Sequence, residues 1–364
     1  MPSSSTAQDK LNEFADEIIS LADDGKTPTM SMPSRSVFNA FFDQFDGTIN
    51  LGNDTVRRDL FNVSQAKPFM QTVLAASGCS ELMKTGKTTS LRGLYYMLKH
   101  TIQGTKEETF DEQGDCDSVI EDLELALGMT REDLHLYAKS AGSLAGNLVV
   151  LDGEDTIDCS KMGAGGYTIP SIVEDSVLKI VSCTAKYVLH VEKDTVWRRF
   201  NEDKFWRKHN CLVTHGGGQP PRGVRRLLSR LNKELGLPIY CLLDNDPWGY
   251  YIYSVIKQGS MSLAFESKRM SVPDCKYIGL RSIDAARCGL SKSVRIRLNE
   301  NDIKRTEQMM KYPWFSGKRD WLIEMNRMLE NGFKLEVESL ISKDISYVTD
   351  VYVPDRLSEN DFLD

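Results

Sequence analysis

A chain of 364 residues, 41% hydrophobic and 27% charged, has the composition of a globular protein of two or three domains that needs no disulfide or structural metal to build a core. No stretch approaches the roughly 20 apolar residues that cross a bilayer, the opening MPSSSTAQDKLNEF lacks the layout of a secretory signal, and eight scattered cysteines without a CxxC pair argue against a zinc ribbon or a disulfide framework. The net charge of −7 does not advertise a nucleic-acid binder, because phosphate contact needs Lys and Arg; yet acids crowd Glu107–Glu124 and the termini, while the middle carries Arg198, Arg199, Lys204, Arg207, Lys208, Arg222, Arg225, Arg226 and Arg230.

Residues 1–68 read as an N-terminal arm. It holds a short amphipathic helix over 8–24 (Leu11, Phe14, Ile18, Ile19, Leu21), a Pro/Ser/Thr-rich loop over 25–37 and a weakly alternating run over 37–66. From 69 to 152 the period turns helical. One helix opens at Lys67-Pro68 and closes at Gly78; others are predicted over Leu91–His100 and Val119–Leu127. A fourth begins at Thr130, with Asp133 completing a capping box. Short helices joined by tight turns suit a winged-helix, DNA-binding domain. The Gly-rich, strand-like stretch 153–177 reads as a connector. From 178 to 364 strands and helices alternate: strands over Ala185–Val191, Cys211–Thr214, Leu237–Leu243 and Lys276–Gly279, helices between them, and a helical tail over Trp321–Leu329 and Leu335–Ser342. The predicted class is α+β and multidomain, its second part a mainly parallel sheet.

Three acids stand at the ends of predicted parallel strands: Glu192, in HVEKD, and Asp244 and Asp246, in LLDNDPWGYYIY. Open α/β sheets bind ligands at that edge. Three carboxylates there repel one another unless a cation joins them, and an oxygen-only set suits Mg²⁺. Acids after strands also cap helices and turns, so either role is open for any single one.

In SLRGLYYMLKH, Leu91, Leu94, Tyr95 and Leu98 fall on one helical stripe, the core side. Arg92, Tyr96 and Lys99 fall on another. Tyr96 is therefore the tyrosine offered to a substrate, and Tyr95 is packing. A phenol titrates near ~10 and is a poor nucleophile at neutral pH; a guanidinium one turn away favours the phenolate and a charged phosphate. Tyr–Arg stacking on a helix surface is the structural alternative. The Walker-like Lys84-Thr-Gly-Lys-Thr-Thr89 lacks the first glycine of a phosphate loop, Glu81 standing there, so no ATP site is expected in this chain.

The glutamate followed some 50 residues later by DxDPxGxxI, with GGGQPPRGVRR between, resembles a Toprim domain. With Arg92-Gly-Leu-Tyr95-Tyr96 ahead of it, the chain from about 70 to 364 resembles the A subunit of topoisomerase VI and its relative, the meiotic double-strand-break transesterase. LHLYAKSAGSLAGNL, GAGGYTIPS and KLEVESLISKDISYVTDVYVPDRL extend the likeness; the tail and DPWGYYIY favour the topoisomerase. The resemblance implies a catabolite-activator-like winged helix carrying Tyr96 as nucleophile and Arg92 as its support. It further implies Mg²⁺ on Glu192, Asp244 and Asp246, and a 5′-phosphotyrosyl double-strand break in duplex DNA made by a homodimer. ATP is expected to act through a separate B subunit in an A₂B₂ assembly, contacted by residues 1–68, in the cytoplasm at the nucleoid. A strand-break former, a Toprim nuclease or primase, and a non-catalytic DNA binder are the other readings.

Overall fold

The computed structural model describes residues 6–364. The chain divides into two compact units: Met1–Ala40 with Leu51–Lys139, and Phe41–Asn50 with Ser140–Asp364.

In the first unit, helix Ala7–Asp23 starts at a capping box between Thr6 and Asp9 and buries Leu11. Strand Thr29–Pro33 pairs antiparallel with Thr55–Asp59, and its alternation sends Met30 and Met32 into the core. The Pro and Ser residues around it made this segment read as a loop. The Asp122 carboxylate accepts from the guanidinium of Arg35 at 2.6 Å and from that of Arg58. Residues 6–40 and 51–68 are thus built into the unit and are not a separable arm.

Helix Val63–Thr85 is longer than predicted. It begins before Pro68 and runs through Gly78 to Gly86, where a left-handed residue ends it. Gly78 is a packing residue, not a stop: a Cβ there would lie 3.0 Å from Leu94 Cδ1 and 3.1 Å from Leu98 Cδ2. Its missing side chain lets helix Leu91–Leu98 close on helix Val63–Thr85. Helix Gln113–Leu127 completes the core with Cys116, Val119, Ile120 and Leu123. The Thr130–Asp133 capping hydrogen bonds form, at 2.8 and 3.2 Å, but close only a turn, because His135 takes a left-handed φ of 60°. A two-residue parallel ladder joins Thr89–Ser90 to Leu136–Tyr137.

In the second unit, the stretch expected as a connector, 153–177, contributes strands Asp155–Asp158 and Tyr167–Thr168 to two different sheets. Strand Leu148–Asp152 pairs antiparallel with Leu178–Cys183 on one side and Asp155–Asp158 on the other. The main sheet runs Tyr167–Thr168, Ser143–Gly146, Leu212–His215, Val188–Val191, Ile239–Leu242, Lys276–Tyr277. The first two join antiparallel and the last four are parallel. Val188–Val191 therefore lies between the two strands that follow it, and the chain reverses direction across the sheet at its C-terminal end. The tail packs on this sheet: Trp321, on helix Arg319–Asn331, has its rings 5.2–5.3 Å from those of Tyr250, Tyr253 and Tyr277. The eight cysteines are free thiols, and all but Cys183 are buried.

Candidate active site

Helix Leu91–Leu98 begins where the Ser90 hydroxyl caps the Gly93 amide at 2.9 Å. Leu94, Tyr95 and Leu98 turn into the core, as their spacing requires. Tyr96 emerges on the other side, 61% exposed. The Arg92 guanidinium carbon sits 5.8 Å from the Tyr96 ring centroid. The Arg92 hydrogen bond and charge hold the Tyr96 phenol below its ordinary value, because a cation favours the phenolate. Lys99 leaves this face. The helix ends at Leu98, and Lys99 Nζ curls back to donate to the Tyr95 hydroxyl at 2.8 Å and the Asp111 carbonyl at 3.2 Å.

Glu192 follows strand Val188–Val191, and Asp244 and Asp246 follow its parallel neighbour Ile239–Leu242. Val191 lies opposite Leu242, so the three acids leave one sheet edge at the reversal point. The Glu192 carboxylate accepts from the Asp244 amide at 3.1 Å. The Glu192 carbonyl accepts from the Gly218 amide at 2.9 Å, drawing the glycine loop to the same edge. Asp244 Oδ1 accepts from the Val337 amide at 2.7 Å, and Oδ2 pairs with Lys193 Nζ at 2.9 Å. Asp246 caps helix Pro247–Gln258, Oδ1 accepting from the Gly249 amide at 2.6 Å. Its capping role is therefore real, and compatible with a ligand role for its other oxygen. A Cβ on Gly249 would fall 2.5 Å from the Asp244 carbonyl oxygen; glycine alone lets the helix start this close to the loop.

Burial, and then Asp244, lifts the Glu192 carboxyl to about 8. Burial lifts Asp244 to about 6, against the Val337 amide and Lys193, and raises Asp246 also. Among the described residues no three acidic, histidine or cysteine side chains close into a ready-made metal cage. The donor set nonetheless fits Mg²⁺: it is all oxygen, it is crowded enough to resist full ionisation, and that ion keeps waters and phosphate oxygens in its shell.

Sequence reasoning missed the support around these acids. Lys193 Nζ also reaches Glu336 at 3.3 Å and Glu338 at 3.2 Å. Adjacency to Glu192 was the one available signal for Lys193; the Val337 amide carried none. Much of the basic middle is structural. Arg222 pairs with Glu266, Arg226 Nη2 with Glu174 at 2.8 Å and Arg230 Nε with Glu234 at 2.6 Å, while Arg225 and Arg230 are buried. Arg198, Lys204, Arg207 and Lys208 retain solvent-facing surface. In the Walker-like stretch, Gly86 ends the preceding helix as its left-handed cap.

Three family descriptions match successive parts of the chain. "Type IIB DNA topoisomerase" covers residues 67–136, and "All-beta domain in DNA topoisomerase VI alpha subunit" covers 140–184. The Toprim domain shared by Spo11 and the topoisomerase 6 A subunit covers 187–357. Among curated relatives, the chain is 38% identical over 364 residues to the A subunit of type 2 DNA topoisomerase 6 from Pyrococcus horikoshii, spanning 97% of this chain and 94% of the relative. It is 36% identical over 373 residues to the same protein from Hyperthermus butylicus (98% and 95%) and 34% over 360 residues to that from Methanocaldococcus jannaschii (97% and 95%). No helix among the described residues is long and apolar enough to cross a membrane.

Proposed function

Since the chain belongs to the A-subunit family of type 2 DNA topoisomerase 6, DNA-cleaving subunits of type IIB topoisomerases and isomerases by class, we propose that Tyr96 is the nucleophile that opens the duplex and that Glu192, Asp244 and Asp246 hold Mg²⁺ for it. The Arg92–Tyr96 pair carries this reading: an exposed phenol beside a guanidinium that lowers its pKa. Helices Val63–Thr85, Leu91–Leu98 and Gln113–Leu127 of the first unit act as the winged-helix support that presents it.

In the reaction, the Tyr96 oxygen attacks a backbone phosphorus. A 5′-phosphotyrosyl bond forms, and the bond to the 3′ oxygen breaks to leave a 3′ hydroxyl. Arg92 offsets the phenolate and the charge gathering on the phosphate. Bound Mg²⁺ supplies Lewis-acid stabilisation of that same phosphate charge. The bond energy is kept in the phosphotyrosine, so the 3′ hydroxyl reverses the step without a ligase cofactor. Cutting both strands takes two such centres and therefore a homodimer, with the tyrosine of one protomer working beside the carboxylates of the other.

ATP use falls to a B subunit in an A₂B₂ holoenzyme, which couples the break to strand passage. Phe38, Phe61 and Val63 in the first unit are large apolar side chains left strongly exposed, and suit a protein partner. The test incubates the chain, with and without B subunit, Mg²⁺ and ATP, on supercoiled plasmid and quenches with denaturant. Relaxation with phosphotyrosyl adducts trapped on 5′ ends is expected; relaxation without any covalent adduct would refute the reading.

A further inference from the structure

Along the loop Asp244-Asn245-Asp246, alternation sends the two aspartates to one side and Asn245 to the other. Asn245 is fully buried, and a buried amide needs partners. Its Nδ2 lies 3.1 Å from Glu324 Oε1, 2.5 Å from the Tyr250 hydroxyl and 3.3 Å from Ser282 Oγ. Its main chain exchanges hydrogen bonds with Leu335 at 2.8 and 3.1 Å. Glu324, on helix Arg319–Asn331, is only 3% exposed. On the same Oε1 it accepts from the Tyr250 hydroxyl at 3.0 Å and the Ser282 amide at 2.6 Å. One carboxylate oxygen thus gathers the middle of the acidic loop, the first turn of the helix that Asp246 caps, and the segment after strand Lys276–Tyr277.

We infer that Glu324 is a positioning residue for the metal ligands, fixing Asp244 and Asp246 through Asn245 and Tyr250. This rests on the reading of Glu192, Asp244 and Asp246 as the Mg²⁺ site. A carboxylate suits the place because it only accepts and its charge strengthens each of the three hydrogen bonds. Glutamine keeps the shape but weakens the acceptor and adds a donor where the surrounding groups already donate. Partners that orient metal ligands typically contribute about 10–100-fold to metal affinity or activity.

The test uses the full chain without DNA, titrated with Mg²⁺ by calorimetry, with Tm recorded in parallel. Glu324→Gln is expected to bind Mg²⁺ about ten-fold more weakly and to regain most DNA cleavage at high Mg²⁺. Tyr250→Phe removes one donor without touching charge and should shift the titration in the same direction by less. Glu324→Ala should shift it most; should that variant fail to fold, the other two decide. A Glu324→Gln protein with wild-type Mg²⁺ half-saturation, whatever its Tm, overturns the inference. Asp244→Asn serves as the control. If it binds Mg²⁺ as the wild type does, the ligand reading itself has failed; if it loses binding while Glu324→Gln keeps it, only the role of Glu324 has.

Discussion

Glu192 Oε2 accepts a hydrogen bond from the Asp244 backbone amide at 3.1 Å, fastening together the ends of two neighbouring parallel strands. Both carboxyls are lifted by burial, and the Asp244 charge lifts Glu192 further.

That crowding predicts a pH dependence. Each carboxyl keeps its proton in the folded chain at pH values where the unfolded chain has lost it. The folded state then binds more protons, and stability falls as pH rises. The window runs from the ordinary 3.8 of Asp244 and 4.5 of Glu192 up to about 6 and about 8. With chelator present, Tm should decline across this range, and Mg²⁺ should flatten the decline. A slope that Mg²⁺ leaves untouched would count against these carboxylates as its ligands.

Arg92 and Tyr96 both lie on the surface, so their replacement should barely change Tm. Tyr96→Phe is expected to abolish covalent adducts. Arg92→Ala should slow adduct formation by about 10²-fold, the usual cost of losing one stabilising donor. Tyr95→Phe loses only the hydroxyl contacted by Lys99 and should still form adducts. Adducts from Tyr96→Phe but not from Tyr95→Phe would reverse the assignment.

Gly78→Val places two methyl groups where a single Cβ already comes within 3.0 Å of Leu94 and 3.1 Å of Leu98. Overpacking of this kind costs about 1–3 kcal/mol, so chemical denaturation should show a loss of that size. Because Leu94 and Leu98 lie on the helix that carries Tyr96, cleavage should fall as well. Unchanged stability would mean the helices can separate freely.

The first 36 residues are poor targets for deletion, since Leu11, Met30 and Met32 belong to the core. Phe38→Ser and Val63→Ser are cleaner: these side chains are 97% and 96% exposed. If they anchor the contact with the B subunit, each should weaken that complex about ten-fold or more, with Tm unchanged. Wild-type affinity in both, measured by calorimetry or biosensor, would move the B contact elsewhere.

Local patterns were readable from the sequence because they repeat within one turn or one strand. Helical spacing sorted Tyr95 from Tyr96, and an acid after each apolar run marked Glu192, Asp244 and Asp246. Lys99 misled because the helix stops one residue before it. Gly78 read as a stop because a glycine against another helix and a glycine ending its own helix look alike in one dimension. The stretch 153–177 had a strand-like pattern but read as a connector, because the pairing of Leu148–Asp152 with Asp155–Asp158 and Leu178–Cys183 leaves no mark in any one segment's own spacing.

By itself, then, the sequence determined that Tyr96 and Tyr95 leave their helix on different faces and that Glu192, Asp244 and Asp246 stand at the ends of neighbouring strands, because backbone periodicity places side chains on faces. Only the tertiary structure decided what holds them. The Val337 amide meets Asp244 across 93 residues, and Glu324 meets Asn245 across 79. No local period encodes such pairs; they arise when packing the tail onto the sheet buries polar groups that must then find one another.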